Sequence, residues 1–423
     1  MNVCRLLWVG WFLIHGSLAF SQDVVIRGAR VHTLGAQGTL INSDVLVRDG
    51  YVVAVGPGLV VPAGVSVIDA KGRPLTPGLF GGLSAIGLGE VSIEAQTMDG
   101  ALSFGAPGWQ QQWRPEFDVT LAYNPRSTLV PVARIEGLTW TVLAPESRDS
   151  LIAGEGAAVS LDGSFDAVLA GSRTLFVSVG SQVSERSGGS RAAQYMLLSQ
   201  AIREARMSGP VQAGALLHLA GREVLSRYLA GGRVLFEVNR AVDIRAVIQF
   251  AQRNGMRPVI AGAAEAWMVV DELVAAGVPV LLDPLQNLPE DFDHLGARAD
   301  NAVLLHEAGV RVAFSGSNSS KSEDHNARKI RQLAGNAVAR GLPWDAALAA
   351  ITATPAEIFG LNSARGRIAP GQVADLVLWS GDPLALTEMA DQVWIAGRAV
   401  QMRSRQTELR DRYLQRLQRS SVR

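Results

Sequence analysis

Cysteine is all but missing from this chain of 423 residues: Cys4 stands alone. No intrachain disulfide can form, so the fold must be held by its core. Lysine is nearly as scarce, at Lys71, Lys321 and Lys329 only. Excess charge is missing too, because 39 basic residues face 39 acidic ones, and neither nucleic acid nor an anionic membrane is recommended as a partner by so flat a balance. There is no Gly-x-Ser-x-Gly elbow, no phosphate-binding glycine loop and no Gly-x-Gly-x-x-Gly after the first strand. Nucleophilic acyl transfer and dinucleotide chemistry therefore have little to stand on.

What is present begins with a charged Met1–Arg5 stretch, an apolar run from Leu6 to Phe20 and small residues around Ser17, Ala19 and Ser21. Residues 1–22 read as a secretory signal peptide, too short for a stop-transfer span, with cleavage expected between Ala19 and Asp23. Cys4 would leave with it, and the mature protein is expected in the periplasm or secreted. From residue 23 to 78 short β-branched runs alternate with Gly and Pro-Gly punctuation, and Asp49-Gly50 makes a good hairpin turn. These strands cannot cover their own apolar face. Their missing partners lie in residues 362–400, at Ala374–Trp379 and Gln392–Ile395, which implies a small β-sandwich formed by both chain ends.

Between them, residues 79–361 alternate apolar strands (Leu138–Leu143, Leu175–Val179, Val234–Val238, Pro258–Ala261, Pro279–Leu282, Arg311–Ser315) with helical periods (Arg191–Met207, Asp243–Arg253, Glu265–Ala276, Asp300–Ala308). Repeated β-then-α units with continuous apolar strands predict a parallel sheet covered on both sides. The expected fold class is α/β, a (β/α)8 barrel inserted into the split sandwich. Residues 401–423 follow with Leu409, Tyr413, Leu414 and Leu417 on one helical face and arginines opposite, an amphipathic helix expected to dock on the body, with a membrane-surface helix as the alternative.

Four stretches carry a family resemblance: Pro77-Gly78-Leu79; Arg134-Ile-Glu-Gly137-Leu-Thr139; Ala347 to Ala356 with Phe359-Gly360-Leu361; and Gly366-Arg-Ile-Ala-Pro-Gly371-Gln-Val-Ala-Asp375-Leu-Val. In this order the chain resembles the amidohydrolase superfamily, especially its imidazolonepropionase-like branch, from about Val24 to Val400. The resemblance implies hydrolysis of carbon–nitrogen bonds other than peptide bonds, in linear or cyclic amides. It also implies zinc or another divalent metal at the strand ends, where it activates water and polarises a carbonyl. The pattern that should follow Pro-Gly-Leu is Ile-Asp-x-His-x-His. Here the Asp position is Gly81 and the two ligand positions are Leu83 and Ala85. The lysine that becomes a carbamate in some members has no counterpart, since none lies between Lys71 and Lys321. The histidine of the fifth strand is replaced by Glu237, that of the sixth by Gly262 or its alanine neighbours, and the catalytic aspartate of the eighth by Ser317.

The chain is accordingly expected to hold no metal. Glu237 would otherwise be a costly charge at the end of a buried strand, so it is expected either to pair with Arg240 or Arg328 or to act as an acid, a base or a ligand anchor. Asp283 is the second carboxylate at the mouth. Glu237 and Asp283 are the candidate catalytic pair, and Arg240, Gln286, Ser317, His325 and Arg328 the candidate binding residues. His294, like His325, is expected in a loop at the mouth, whereas His15 lies in the signal segment and His32, His218 and His306 carry no ligand pattern. Two readings follow: a metal-free binding or partner protein, or an enzyme whose acid–base site is rebuilt around Glu237 and Asp283, metal-independent or weakly metal-bound. An amide-like small molecule, an intact homologue and a second copy of the chain stay open as partners.

Overall fold

A computed structural model describes residues 23–91, 94–103, 112–316 and 324–421. The signal-peptide segment and Ser317 lie outside the described residues. Both ends of the chain share one eight-stranded sheet. Its first strands are β1 (Val24–His32), β2 (Thr39–Arg48), β3 (Tyr51–Gly56), β4 (Ser66–Asp69) and β5 (Pro74–Pro77). β2 and β3 form a hairpin over Asp49-Gly50, whose φ values of 49° and 85° are both positive, as a two-residue primed turn requires. β1 is shared by two neighbours: Val24 to Arg27 pair with β4, and Arg30 and Val31 with β5.

The chain then enters β6 (Leu79–Ser84), and α1 (Leu129–Arg134) leads into β7 (Leu138–Leu143), parallel to β6. β8 (Ile152–Gly156) and β9 (Ala158–Ser160) come next, with only Ala157 between them. β9 pairs antiparallel with β7, and β8 pairs antiparallel with β10 (Thr174–Ser178). From β10 onward the pattern is regular: α2 (Arg191–Arg206), α3 (Leu219–Leu229), β11 (Arg233–Val238), α4 (Ala241–Arg253), β12 (Arg257–Gly262), α5 (Val270–Ala276), β13 (Val280–Leu282), α6 (Asn301–Glu307) and β14 (Val312–Phe314). β10 to β14 are all parallel.

The expected (β/α)8 barrel is not what these sheets draw. They form a three-stranded and a six-stranded sheet that meet at Ala157. The third strand runs backwards, and the reason is connection length. Residues 144–151 are all that separate β7 from β8, whereas a parallel crossover needs about a dozen residues or more. No ladder joins β14 to β6 among the described residues; the Leu83 N–H instead donates to Ser315 Oγ at 3.0 Å. The space inside is filled by Phe80, Trp140, Phe176, Leu235, Leu281 and Phe359, a dry apolar plug beneath the strand ends.

α7 (Ile330–Ala339), α8 (Trp344–Ala350) and α9 (Ala353–Ile358) lead back to β15 (Leu376–Trp379), β16 (Ala390–Ile395) and β17 (Arg398–Ala399). β15 pairs antiparallel with β5, Thr76 opposite Val377, and so ties the two ends of the chain together. Gly137, in the Arg-x-x-Gly-x-Thr turn, has φ 91°, and a Cβ there would meet the Trp379 ring at 2.8 Å. The last helix, α10 (Arg405–Ser421), forms as expected and meets α1 near its start, but its apolar stripe is not covered as docking would require. Every residue from Arg410 to Gln418 is exposed, including Tyr413, Leu414 and Leu417.

Candidate functional site

The parallel strands β10 to β14 end side by side, and their last residues line a cavity of about 390 Å³. Leu83 stands on its floor, with Ser178, Glu237, Asn239 and Gly262 from β10 to β12. Asp283, Gln286, Asp291 and His294 come from the segment after β13, and Glu146, Arg148 and Arg186 from the opposite wall. A smaller void shares Leu83, Ser178 and Glu237 and reaches Ala85. The two positions where the resemblance expects histidines therefore do face the mouth, with apolar side chains.

The sixth-strand position as it stands disfavours a histidine, which would need a backbone conformation rare for L side chains and a shift of Asn239. Gly262 has φ 85°, and a Cβ added there would lie 2.4 Å from Asn239 Oδ1. The amide of Asn239 occupies the space a ligand side chain would need. The donors that remain do not make the set a divalent metal of the expected kind needs: Glu237 and Glu146 line the void beside Leu83 and Ala85, and Asp283, Asp291 and His294 come from the segment after β13. No group of three or more His, Cys, Asp or Glu arranged to hold a metal occurs among the described residues.

Glu237 and Ser178 are direct neighbours across the β10–β11 ladder, and Glu237 Oε2 accepts a hydrogen bond from Ser178 Oγ at 3.0 Å. The expected ion pair with Arg240 or Arg328 is not made. Arg240 instead grips Asp243 through Nε (3.0 Å) and Nη2 (3.1 Å) at the start of α4, and Arg328 is exposed. Both choices came from closeness in sequence or loop, while the strand end carries Glu237 the other way, toward Arg186. Burial pushes the Arg186 guanidinium down, and the charge of Glu237 is the largest influence opposing that shift. Arg186 also donates to the Arg148 carbonyl at 2.6 Å, which fixes it over the wall.

Across the cavity, His294 is buried between Asp291 and Gln286. Its Nδ1 lies 2.6 Å from Asp291 Oδ1 and its Nε2 2.8 Å from Gln286 Nε2. The amide nitrogen can only donate, so His294 accepts at Nε2 and donates from Nδ1 to the carboxylate. The segment that holds this histidine is pinned by Asp293, whose carboxylate accepts from the Ser181 N–H (2.7 Å), the Ser181 hydroxyl (2.8 Å) and Arg191. Burial pushes the Asp293 carboxyl up, yet these hydrogen bonds and the Arg191 charge outweigh it and hold the group below the ordinary carboxylate range.

Of the seven candidate residues, the structure brings Glu237, Asp283 and Gln286 to one cavity. Arg240 and Arg328 are not in its lining, while Ser317 and the side chain of His325 lie outside the described residues. Sequence reasoning missed Ser178, Arg186, Glu146 and the Asp291–His294 pair. Ser178 had no local signal, since its register with Glu237 joins residues 59 apart. Arg186 had none, because the turn Ser181–Ser187 that presents it shows no periodicity.

Comparison with known proteins points the same way as the fold. A profile described as the amidohydrolase family matches residues 322–401. Amidohydrolase tasK of Hapsidospora irregularis is 40% identical over 74 residues, 18% of this chain and 8% of that protein. The dihydroorotase of Citrifermentans bemidjiense is 46% identical over 59 residues, 14% of each chain. These matches thus span only a small part of either curated relative. An amidohydrolase from Thermotoga maritima is similar in structure over 90% of this chain and 100% of its own, with a TM-score of 0.78 and 21% identity, a likeness of fold.

Proposed function

We propose that this chain is a metal-free member of the amidohydrolase superfamily whose mouth cavity binds a small polar, amide-like ligand. The observation that carries the reading is the pairing of Leu83 with the Gly262–Asn239 contact. One expected ligand position is apolar, and another is filled by a neighbour's amide. The cavity is within the size range of small-molecule sites. Its carboxylates Glu237 and Asp283 suit N–H donors, and Arg186 with Asn239 suits a carbonyl or carboxylate oxygen. The same reading places the mature protein in the periplasm or outside the cell, acting alone, as a homo-oligomer, or beside an intact homologue that keeps the metal.

A second reading rests on a separate observation. Glu237 and Asp283 share the cavity with a buried histidine oriented by Asp291, which becomes a general base once a ligand displaces Gln286 from its Nε2. That would make the protein a metal-independent enzyme of the same pocket.

Elemental analysis of purified protein, run beside a panel of linear and cyclic amides, separates these readings. The binding reading expects no stoichiometric divalent metal, no turnover, and a raised melting temperature with at least one panel member, from a stability gain of about 2.7 kcal/mol at a hundredfold excess over Kd. One tightly held metal per chain would overturn it. Turnover that survives a chelator would replace it with the second reading.

A further inference from the structure

The neutrality of the whole chain hides a local excess. Residues 403–423 hold seven arginines against Glu408 and Asp411, which leaves 32 basic and 37 acidic residues for everything before them. The structure gathers most of this charge on α10, a helix of 17 residues. Its root is fixed: Ser404 is buried, its Oγ accepts from the Thr407 N–H at 3.3 Å, and Met402 packs against the main core. Beyond the first turn its apolar side chains are largely exposed. Tyr413 is 58% exposed, Leu414 49% and Leu417 66%, and Leu409 is half-buried.

We infer that α10 is a membrane-surface anchor that lays its Leu409, Tyr413, Leu414 and Leu417 stripe into a bilayer carrying anionic lipid. At 100° per residue these four side chains span well under half of the helix circumference, the width of an interfacial stripe. Arg405, Arg412 and Arg416 share the sector beside Leu409, at the level where lipid phosphates would lie. Arg410 rises between Leu417 and Leu414, and its long stem can lie along the acyl chains while the guanidinium reaches the headgroups. Each arginine near an anionic surface adds attraction that fades with ionic strength. Charge selects the lipid over the other occupant of such a face, a second copy of α10. Two copies stripe to stripe would set two arginine-rich helices against each other. No helix among the described residues is long and apolar enough to cross a membrane, so α10 would lie on the surface and not span it.

The test is sedimentation of full-length protein with vesicles of phosphatidylcholine alone or mixed with phosphatidylglycerol. The expected result is binding to the anionic vesicles, lost on raising the salt, and at least about tenfold weaker on the neutral ones. Leu414→Ser with Leu417→Ser alters only exposed side chains and should weaken binding about tenfold with the melting temperature unchanged. Arg412→Gln with Arg416→Gln should do the same through charge. Absence of vesicle binding, equal binding to both compositions, or binding indifferent to both double variants would each overturn the anchor. So would concentration-dependent self-association that the leucine variant abolishes while vesicles stay unbound.

Discussion

The return from α9 into β15 and the ends of β10 to β14 were built under different constraints. In the return, Asp375 of the Ala-Asp-Leu-Val stretch is buried. Its Oδ2 pairs with Arg365, and its Oδ1 accepts the Ala396 N–H at 2.8 Å. One carboxylate thus ties the strand before β15 to the turn after β16, and neither a shorter nor an uncharged side chain makes both bonds. This is the part of the chain that the family profile matches. At the strand ends, Leu83, Ala85, Glu237 and Gly262 stand where the resemblance expects metal ligands, and the surrounding strands are undisturbed. Fold-keeping residues and reaction-centre residues are separable, so a resemblance carried by the first says little about the second.

The largest effect should come from breaking the first region. Arg365→Ala leaves Asp375 as a buried charge without its counter-ion, a loss of about 3–5 kcal/mol. Chemical denaturation would show it as a lowered midpoint at an unchanged slope. Asp375→Asn should cost less, because it keeps one acceptor for the Ala396 N–H. If Arg365→Ala proved neutral, the account of the Asp375 carboxylate as the tie within this return would fail.

Next in size is the seam between frame and site. Asp293→Asn removes a carboxylate that serves Ser181 and Arg191 together, and about 2 kcal/mol should be lost. The pH dependence has a definite sign. A carboxyl held below its ordinary value of 3.8 contributes stability that is fully present above that pH and is lost as pH falls through the lower, folded value. Wild type should therefore lose stability more steeply than Asp293→Asn below about pH 4, and melting curves across that range check it. Parallel curves would remove Asp293 from the explanation.

How much of this was legible in the sequence follows the same division. Strands β10 to β14 and helices α2, α4 and α6 announced themselves by uninterrupted apolar runs and by helical period, since burial on both faces leaves that signature. β8 and β9 did not: Ile152–Ser160 carries two glycines and a glutamate, because Glu155 faces Tyr228 and Arg227 and not an apolar layer. The reversed third strand was hidden in a loop length that no residue type marks. At the site, the missing ligands were readable because a pattern named their positions. The partner of Glu237 was not, because a strand's in-register neighbour lies 59 residues away. The uncovered face of α10 was equally illegible: amphipathicity states that a face seeks cover, not what supplies it.

A smaller effect tests the site itself. Ser178→Ala removes the one hydroxyl seen on Glu237 and should cost about 1 kcal/mol. A larger loss would mean that Ser178 has a structural part beyond orienting the carboxylate.

The smallest effect on stability, and the most informative, is expected of Glu237→Gln. Glu237 is half-buried, and no ion pair within bonding distance ties it to Arg240 or Arg328. A glutamine keeps an acceptor for the Ser178 hydroxyl, so the fold should barely notice, with a change under about 1 kcal/mol. Arg186 would feel the loss of the charge that opposes its burial, but its Nε bond to the Arg148 carbonyl remains to hold it. The ligand should feel the substitution far more. If Glu237 accepts N–H donors of a bound amide, exchanging the charged acceptor for a neutral one should weaken binding by about tenfold or more. If it moves a proton, turnover should fall by about a hundredfold or more at unchanged stability. Titration calorimetry and an activity assay on the same variant distinguish the two. A variant with lowered stability but wild-type affinity would return Glu237 to the frame, and the cavity would lose its claim to be the site.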